Sequence, residues 1–488
     1  MDFLSARSVA SYLQQHPPLH LVNGDLSGEG PQHEVIDPAT GAVCARSPHA
    51  SKALLDHAVM SARRAQPGWA ATAIEERRAL LLQFAALLRT AVAPLAGLLT
   101  LEQGRPLART RDEVMRAASL LESVVQIDIG SDVLRDDARG RVLMLHKALG
   151  VVGAIAPWNV PIGLAVPKIV HALYTGNTIV LKPSPHTPLT TLKLGEFCRA
   201  IFPPGVLNIV AGGNDLGEWI STHPGIDKLS VTGSVATGKK VMASAASNLK
   251  RLTLELGGND AAIVLSDASI DDIAPALFAG AFVNSGQVCM AIKRLFVPEA
   301  LHDQLCDALG MLAREAVVGS GFDPTSELGP VQNRIQYESV CRVLDDTRGR
   351  PEARFHAGGR AVDSAGYFIE PTVVSGLREG CSLVDEETFG PVLPVLAYSA
   401  EEEAILRANE GPLGLGASIW TSDMARAEEL GNRLVAGTVW INRHVGADAE
   451  VPFGGARESG LGQQFGRAGL LDCMQSTALY LPVVAVAA

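Results

Sequence analysis

Two short runs carry residues whose types and spacing allow covalent chemistry. One reads Phe282-Val-Asn-Ser-Gly-Gln-Val-Cys289-Met-Ala and the other Leu254-Glu255-Leu-Gly-Gly258, with the glutamate 34 residues before the cysteine. A cysteine in a loop of Gly, Ser and Gln can present a thiolate, and a glutamate on a Gly-Gly turn can be swung toward it as a general base. A nucleophile and a base together point to covalent catalysis. A cysteine alone is more often a small buried hydrophobe, so the pairing carries the reading rather than the thiol.

A third run, Gly233-Ser-Val-Ala-Thr-Gly238-Lys239, almost spells a phosphate-cradling P-loop. Position 240 is Lys, however, where that loop needs a hydroxyl for Mg²⁺, which disfavours nucleotide hydrolysis. A helix starting at Gly233-Ser234 still offers free backbone N–H groups and a positive dipole end to a pyrophosphate. The plain alternative is a glycine that permits a tight strand-to-helix turn.

The elements around these runs must position them. Between residues 150 and 246 short β-branched runs at 151–156, 178–182, 206–210 and 228–231 read as strands. Stretches at 167–174, 188–201, 216–222 and 234–246 read as helices, with Thr187 before Pro188 as the expected N-cap. That alternation predicts βαβ units and a parallel, doubly wound sheet. A second α/β block follows Cys289, with strands at 294–297, 391–397 and 416–420 and helices at 301–317 and 424–434. Two lobes with a cleft between them follow. Leu81, Phe84 and Leu88 lie on one helical face and predict helices packed on the first lobe. Residues 133–146 and 477–484 read as strands remote from the chemistry.

Length and charge set bounds. A chain of 488 residues has room for two or three domains and a large core. Its formal charge of −11 and lack of a Lys/Arg cluster argue against a nucleic-acid surface. Seven cysteines without a C-x-x-C pair fit a reducing, cytoplasmic setting and no zinc site. The start shows no signal peptide. The uncharged run 148–167 is interrupted by Pro157, Asn159, Pro161 and Pro167, so it reads as a buried strand and turn rather than a membrane span.

Several motifs, in order along the chain, resemble those of the aldehyde dehydrogenase superfamily. They are Gly150-Val-Val-Gly-Ala-Ile-Ala-Pro-Trp-Asn159, Gly176-Asn-Thr-Ile-Val-Leu-Lys-Pro183, Val231-Thr-Gly-Ser234, Leu254-Glu255-Leu-Gly-Gly258, Gln287-Val-Cys289, Glu386-Glu-Thr-Phe-Gly-Pro391, Gly437-Thr-Val-Trp-Ile-Asn442 and Pro452-Phe-Gly-Gly455. The resemblance covers nearly the whole chain. It implies a Rossmann-like cofactor domain (1–126 and 149–254), an α/β catalytic domain (255–467) and a small β oligomerisation arm (127–148 and 468–488), in a homodimer or homotetramer. It implies Cys289 as nucleophile, Glu255 as base, Asn159 as oxyanion donor and Lys168 as proton carrier. Trp158, Lys182, Ser184, Gly233, Ser234, Gly257, Glu387 and Phe389 would hold the cofactor. Val160, Val288, Met290 and Phe453 would line a substrate tunnel bordered by a loop with Arg443 and His444, and the small side chains of Val160 and Pro167 would leave that tunnel wide.

The implied reaction is NAD(P)-dependent oxidation of an aldehyde to a carboxylic acid through a thiohemiacetal and a thioester. The implied substrate is medium-chain aliphatic, aromatic or a semialdehyde. One departure bears on the cofactor: Pro185 stands where a ribose-gripping glutamate is frequent, which loosens discrimination against NADP and leaves NAD mildly favoured. Two other readings stay beside the main one, a CoA-acylating relative and a non-catalytic binding protein on the same fold.

Overall fold

A computed structural model describes residues 3–482, and it is built on two open, mostly parallel sheets. The first has eight strands. From one edge they are Asp25–Ser27, His20–Val22, Leu207–Ile209, Thr178–Lys182, Val151–Ile155, Lys228–Thr232, Arg251–Glu255 and Gly460–Leu461. The five strands from Leu207–Ile209 to Arg251–Glu255 run parallel, and antiparallel strands flank them. The strand Thr178–Lys182 is buried along its whole length, which is why its apolar run does not alternate with polar residues; Lys228–Thr232 is buried throughout as well, although Lys228, Ser230 and Thr232 alternate with Leu229 and Val231.

The order of the strands creates the crevice. From Val151–Ile155 the chain steps outward to Thr178–Lys182 and then Leu207–Ile209, before returning to place Lys228–Thr232 on the other side of its starting strand. Such a reversal leaves an opening beyond the carboxyl ends of the strands, the usual ligand position in a doubly wound sheet. Trp158 and Asn159 follow one of the flanking strands, and Gly233 and Ser234 follow the other.

The second sheet has seven strands, in the order Arg354–Ala357, Thr372–Ser375, Val392–Tyr398, Arg294–Pro298, Ala261–Val264, Gly416–Trp420 and Thr438–Ile441. A third, three-stranded sheet joins Met474–Leu481, Gly140–Ala148 and Asp132–Asp137. The expected strand at 477–484 thus starts earlier, and its residues 483–484 lie outside the described part. Leu81, Phe84 and Leu88 are fully buried on the helix Ile74–Thr90, as their spacing requires.

Three expectations need correction. The helix expected from 167 begins at Pro161, a proline at the first turn, and it accommodates Pro167 in its interior. Thr187 does not cap the helix Leu189–Cys198. Its hydroxyl is buried without a partner among the described residues, while the distant Glu102 carboxylate accepts from the amides of Leu189 (2.7 Å) and Thr190 (2.9 Å). The N-terminal region contains two antiparallel pairs, His20–Val22 with Asp25–Ser27 and Gln32–Asp37 with Ala42–Pro48, besides the expected helices. His20–Val22 and Asp25–Ser27 have only three residues each, and Gln32–Asp37 and Ala42–Pro48 mix exposed and buried positions without a clear period, so they give little apolar alternation to read.

Candidate active site

Cys289 stands in a loop whose backbone is bent at three successive residues. The helix Ile270–Phe282 ends, and Asn284 (φ 51°), Ser285 (φ 53°) and Gly286 (φ 72°) all adopt left-handed conformations. Asparagine and glycine tolerate that region; serine there costs about 1–2 kcal/mol. A Cβ at Gly286 would lie 2.1 Å from the Gly390 carbonyl oxygen, so only glycine allows the close approach. Gln287 pins the loop, donating to the carbonyls of Asn284 (2.9 Å) and Pro330 (3.2 Å) and accepting from the Gln332 amide (2.8 Å).

The glycine turn touches this loop. Gly258 packs so closely that a Cβ there would meet the Cys289 carbonyl oxygen at 2.8 Å. Glu255 ends its strand directly beside Thr232, with which it pairs in register. Its carboxylate is buried and neither oxygen has a protein partner among the described residues. Burial pushes its pKa up to about 8, against the opposing pull of the Lys168 ammonium. Lys168 is buried as well and donates to Thr232 Oγ1 (2.9 Å) and Ser230 Oγ (3.3 Å); burial brings its pKa down to about 7, although Glu255 pulls it up.

Asn159 approaches from the strand Val151–Ile155. Its Nδ2 donates to the Gln287 carbonyl (2.9 Å), and its own carbonyl accepts from Asn284 Nδ2 (3.0 Å). An amide nitrogen carries two hydrogens, so a second donor remains for an oxygen placed near Cys289. Burial, followed by the charges of Glu387, Asp260 and Glu255, pushes the Cys289 thiol up to about 12, with Lys293 opposing. The thiol therefore rests protonated and needs a base.

The expected cofactor residues gather at the crevice. Glu387 lies against the glycine turn: its Oε1 accepts from Gly258 N (3.2 Å), and a Cβ at Gly257 would meet its Oε2 at 2.1 Å. The Trp158 and Phe389 rings meet edge to face at 5.3 Å. Ser234 caps the helix Val235–Ala245 by accepting from Thr237 N (3.2 Å), and Gly233 N donates to the Glu255 carbonyl (3.1 Å). Among the described residues the buried Lys182 donates only to Pro183 O (3.3 Å), and burial lowers its pKa to about 8, opposed by Asp215. Ser184 is buried and accepts from His186 N at 3.2 Å.

On the substrate side, Cys289 and Met290 pack against an apolar cluster of Leu415, Trp440, Phe453 and Phe465. Val288 is buried and Val160 half-buried. Two tunnel expectations are revised. Arg443 is exposed, but its neighbour His444 turns inward, with Nδ1 at 2.7 Å from Ser418 Oγ and its ring against Trp440. Pro167 lies within its helix beside Lys168 and His171, and all three line a small cavity with Ser230 and Thr253.

Sequence reasoning missed several residues that build the site. Lys293 donates to the Val288 carbonyl (2.6 Å) and faces the Phe389 ring at 5.6 Å. A lysine at the threshold of the apolar strand Arg294–Pro298 was its only local signal. Asp260 is fully buried near Cys289, and Gln103, Asn284, Gln287 and Gln332 link the nucleophile loop to distant segments.

The aldehyde dehydrogenase family profile matches residues 26–479. The aldehyde dehydrogenase LUC3 of a Fusarium species is 38% identical over 463 residues, which span 95% of this chain and 98% of the relative. The NAD⁺ complex of the Bacillus cereus aldehyde dehydrogenase has a TM-score of 0.94 and 32% identity, over 97% of this chain and 98% of that one. Lactaldehyde dehydrogenase from Escherichia coli has a TM-score of 0.92 and 33% identity, over 95% and 98%. Sequence match, relatives and architecture agree along almost the entire length, and the chain belongs to the aldehyde dehydrogenase family.

Proposed function

We propose that the protein oxidises an aldehyde to its carboxylic acid by covalent catalysis at Cys289, with NAD as hydride acceptor. The observation that carries this reading is the meeting of three groups from three elements: a thiol in a sharply bent loop, a buried carboxylate without a partner among the described residues and an amide with a spare N–H. The crevice suits a dinucleotide. The exposed start of the helix Val235–Ala245 offers backbone amides to a pyrophosphate, while Glu387 and Lys182, each with one side-chain hydrogen bond among the described residues, suit ribose hydroxyls. NAD supplies the two-electron acceptor.

The chain's own groups do the rest. A base takes the Cys289 proton, and the thiolate attacks the aldehyde carbon. Asn159 Nδ2 and the Cys289 amide stabilise the thiohemiacetal oxygen. Departure of hydride leaves a thioester on Cys289. Glu255, deprotonated, removes a proton from water as it attacks the thioester, and the acid leaves. Lys168, behind Glu255 on Thr232 and Ser230, is placed to pass that proton on. An unpartnered carboxylate beside the nucleophile favours hydrolysis over transfer to CoA, which needs no such base.

The apolar cluster beside Cys289 favours medium-chain aliphatic or aromatic aldehydes, and the exposed Arg443 leaves a semialdehyde open. Residues 1–126 with 149–254 form the cofactor domain in this reading, 255–467 the catalytic domain, and 127–148 with 468–488 the arm. Exposed Val133, Leu134 and Tyr480 on the arm suit contact in a homodimer or homotetramer. Seven free cysteines suit the cytoplasm.

The test is NADH formation across aldehydes of two to eight carbons, with and without CoA, for wild type and Cys289→Ala. Rising kcat/KM with length, independence of CoA and less than about 1% residual activity in the variant are expected. Activity retained by Cys289→Ala would overturn the covalent mechanism.

A further inference from the structure

The segment 159–163 carries the expected oxyanion donor into the helix Pro161–Tyr174, and that helix has no capping side chain of its own: Val160 stands at the N-cap position. Its first amides are met from elsewhere. Glu113, on the helix Leu107–Val124, accepts from Ile162 N and Gly163 N, both at 2.8 Å. The other carboxylate oxygen of Glu113 pairs with Arg105. Arg105 donates through Nε (2.7 Å) and its backbone amide (3.2 Å) to Gln103 Oε1. With its oxygen so occupied, Gln103 directs Nε2 to Asn284 Oδ1 at 3.0 Å. Asn284 in turn directs Nδ2 to the Asn159 carbonyl (3.0 Å) and to the Gln287 carbonyl (3.3 Å).

The chain of bonds closes on itself. It starts at the amides of Ile162 and Gly163 and returns to the carbonyl of Asn159, on the same short segment. It also has a fixed direction. Neither end of Gln103 nor of Asn284 is free to turn over without placing oxygen against oxygen or nitrogen against nitrogen. Gln103, Arg105 and Glu113 are all buried. Gly104 (φ 94°) makes the turn after Gln103 and lies so close to Pro38 and Pro330 that a Cβ would meet them at 2.8 and 2.6 Å.

We propose that Gln103, oriented by the Arg105–Glu113 pair, is a positioning residue that sets the oxyanion donor Asn159 relative to Cys289 by fixing the side-chain direction of Asn284. This rests on the reading of Asn159 as oxyanion donor.

Gln103→Glu tests it with little change of shape. The introduced carboxylate still accepts from Arg105, but its other oxygen now faces Asn284 Oδ1. Asn284 must turn its Nδ2 toward that carboxylate, which withdraws the donor from the Asn159 carbonyl. The measurement is the pre-steady-state burst of NADH with the fastest aldehyde of the two-to-eight-carbon panel, together with NAD affinity by fluorescence quenching. Losing an oxyanion donor outright costs about 10²–10³-fold, so its misplacement should slow the burst about tenfold while NAD affinity holds within about twofold.

A double-mutant cycle separates positioning from general damage. In an Asn159→Ala background, Gln103→Glu should add less than about a twofold loss, because the group it positions is gone. Glu113→Gln, which keeps an oxygen for the Ile162 and Gly163 amides and removes the carboxylate charge that pairs with Arg105, should slow the burst in the same way and not add to Gln103→Glu. It serves as the probe if Gln103→Glu folds poorly. An equal loss in both backgrounds, or an unchanged burst in the single variants while Asn159→Ala is slow, overturns the inference alone. An Asn159→Ala enzyme with a normal burst overturns the oxyanion reading and the inference with it.

Discussion

At the scale of single residues, the proposed mechanism makes Glu255 the group that decides what happens after hydride has left. Its carboxyl is pushed up to about 8 by burial, so it is mostly protonated at neutral pH and gains base strength as pH rises. The deacylation rate should therefore climb through about pH 8 and level off above it. Burial brings Lys168 down to about 7, so it is mostly neutral over that limb and free to accept a proton; Lys168→Met should lower the plateau of deacylation and leave the limb near pH 8. A plateau equal to wild type would remove Lys168 from the proton path. Glu255→Gln keeps size and burial but cannot take a proton, and it should give a single stoichiometric burst of NADH followed by slow turnover. Undiminished steady-state turnover would disqualify Glu255 as the base. Cys289 and Glu255 were legible as a pair set in glycine-containing runs, since a lone cysteine is more often a buried hydrophobe. His444 was not, since a place in a loop does not tell which way a side chain turns.

Among the elements, the helix Leu189–Cys198 shows where local rules lose to distant groups. A threonine before a proline reads as a cap, yet the buried Glu102 carboxylate takes the two leading amides and the Thr190 hydroxyl as well. Glu102→Ala would leave those donors buried and unpaired, at about 1–3 kcal/mol for each backbone amide. Amide exchange in Leu189–Cys198 should then speed up selectively, while the strand Thr178–Lys182 keeps its protection. Uniform exchange across both would show that Glu102 has no local capping role. The strands Val151–Ile155 and Thr178–Lys182 were readable because buried parallel strands need continuous β-branched and apolar runs. The polar chain from Gln103 to Asn284 was not, because its partners are 181 residues apart and no periodicity joins them.

For the whole molecule, the decisive place is the joint between the two sheets. Residues 256–260 run from the strand Arg251–Glu255 of the first sheet to Ala261–Val264 of the second, so the base and the core of the other lobe share one short connection. The joint is held from both sides. Leu256 N donates to the Ser459 carbonyl (2.9 Å), Ser459 Oγ donates to the Gly257 carbonyl (2.7 Å), and Asn259 Nδ2 donates to the Val384 carbonyl (2.9 Å). Glu387, from the second lobe, rests on Gly257 at a distance that leaves no room for a methyl group. Gly257→Ala must therefore displace the Glu387 carboxylate, because the turn is pinned by Ser459 and cannot retreat. If Glu387 grips the ribose across the cleft, the KM for NAD should rise by about tenfold, or about 1.4 kcal/mol of binding. Alkylation of Cys289 by iodoacetamide in the absence of NAD should keep its rate, since the thiol's loop is anchored through Gln287 instead. A parallel loss of alkylation rate would mean that the turn shapes the nucleophile directly, and an unchanged KM for NAD would release Glu387 from the cofactor site.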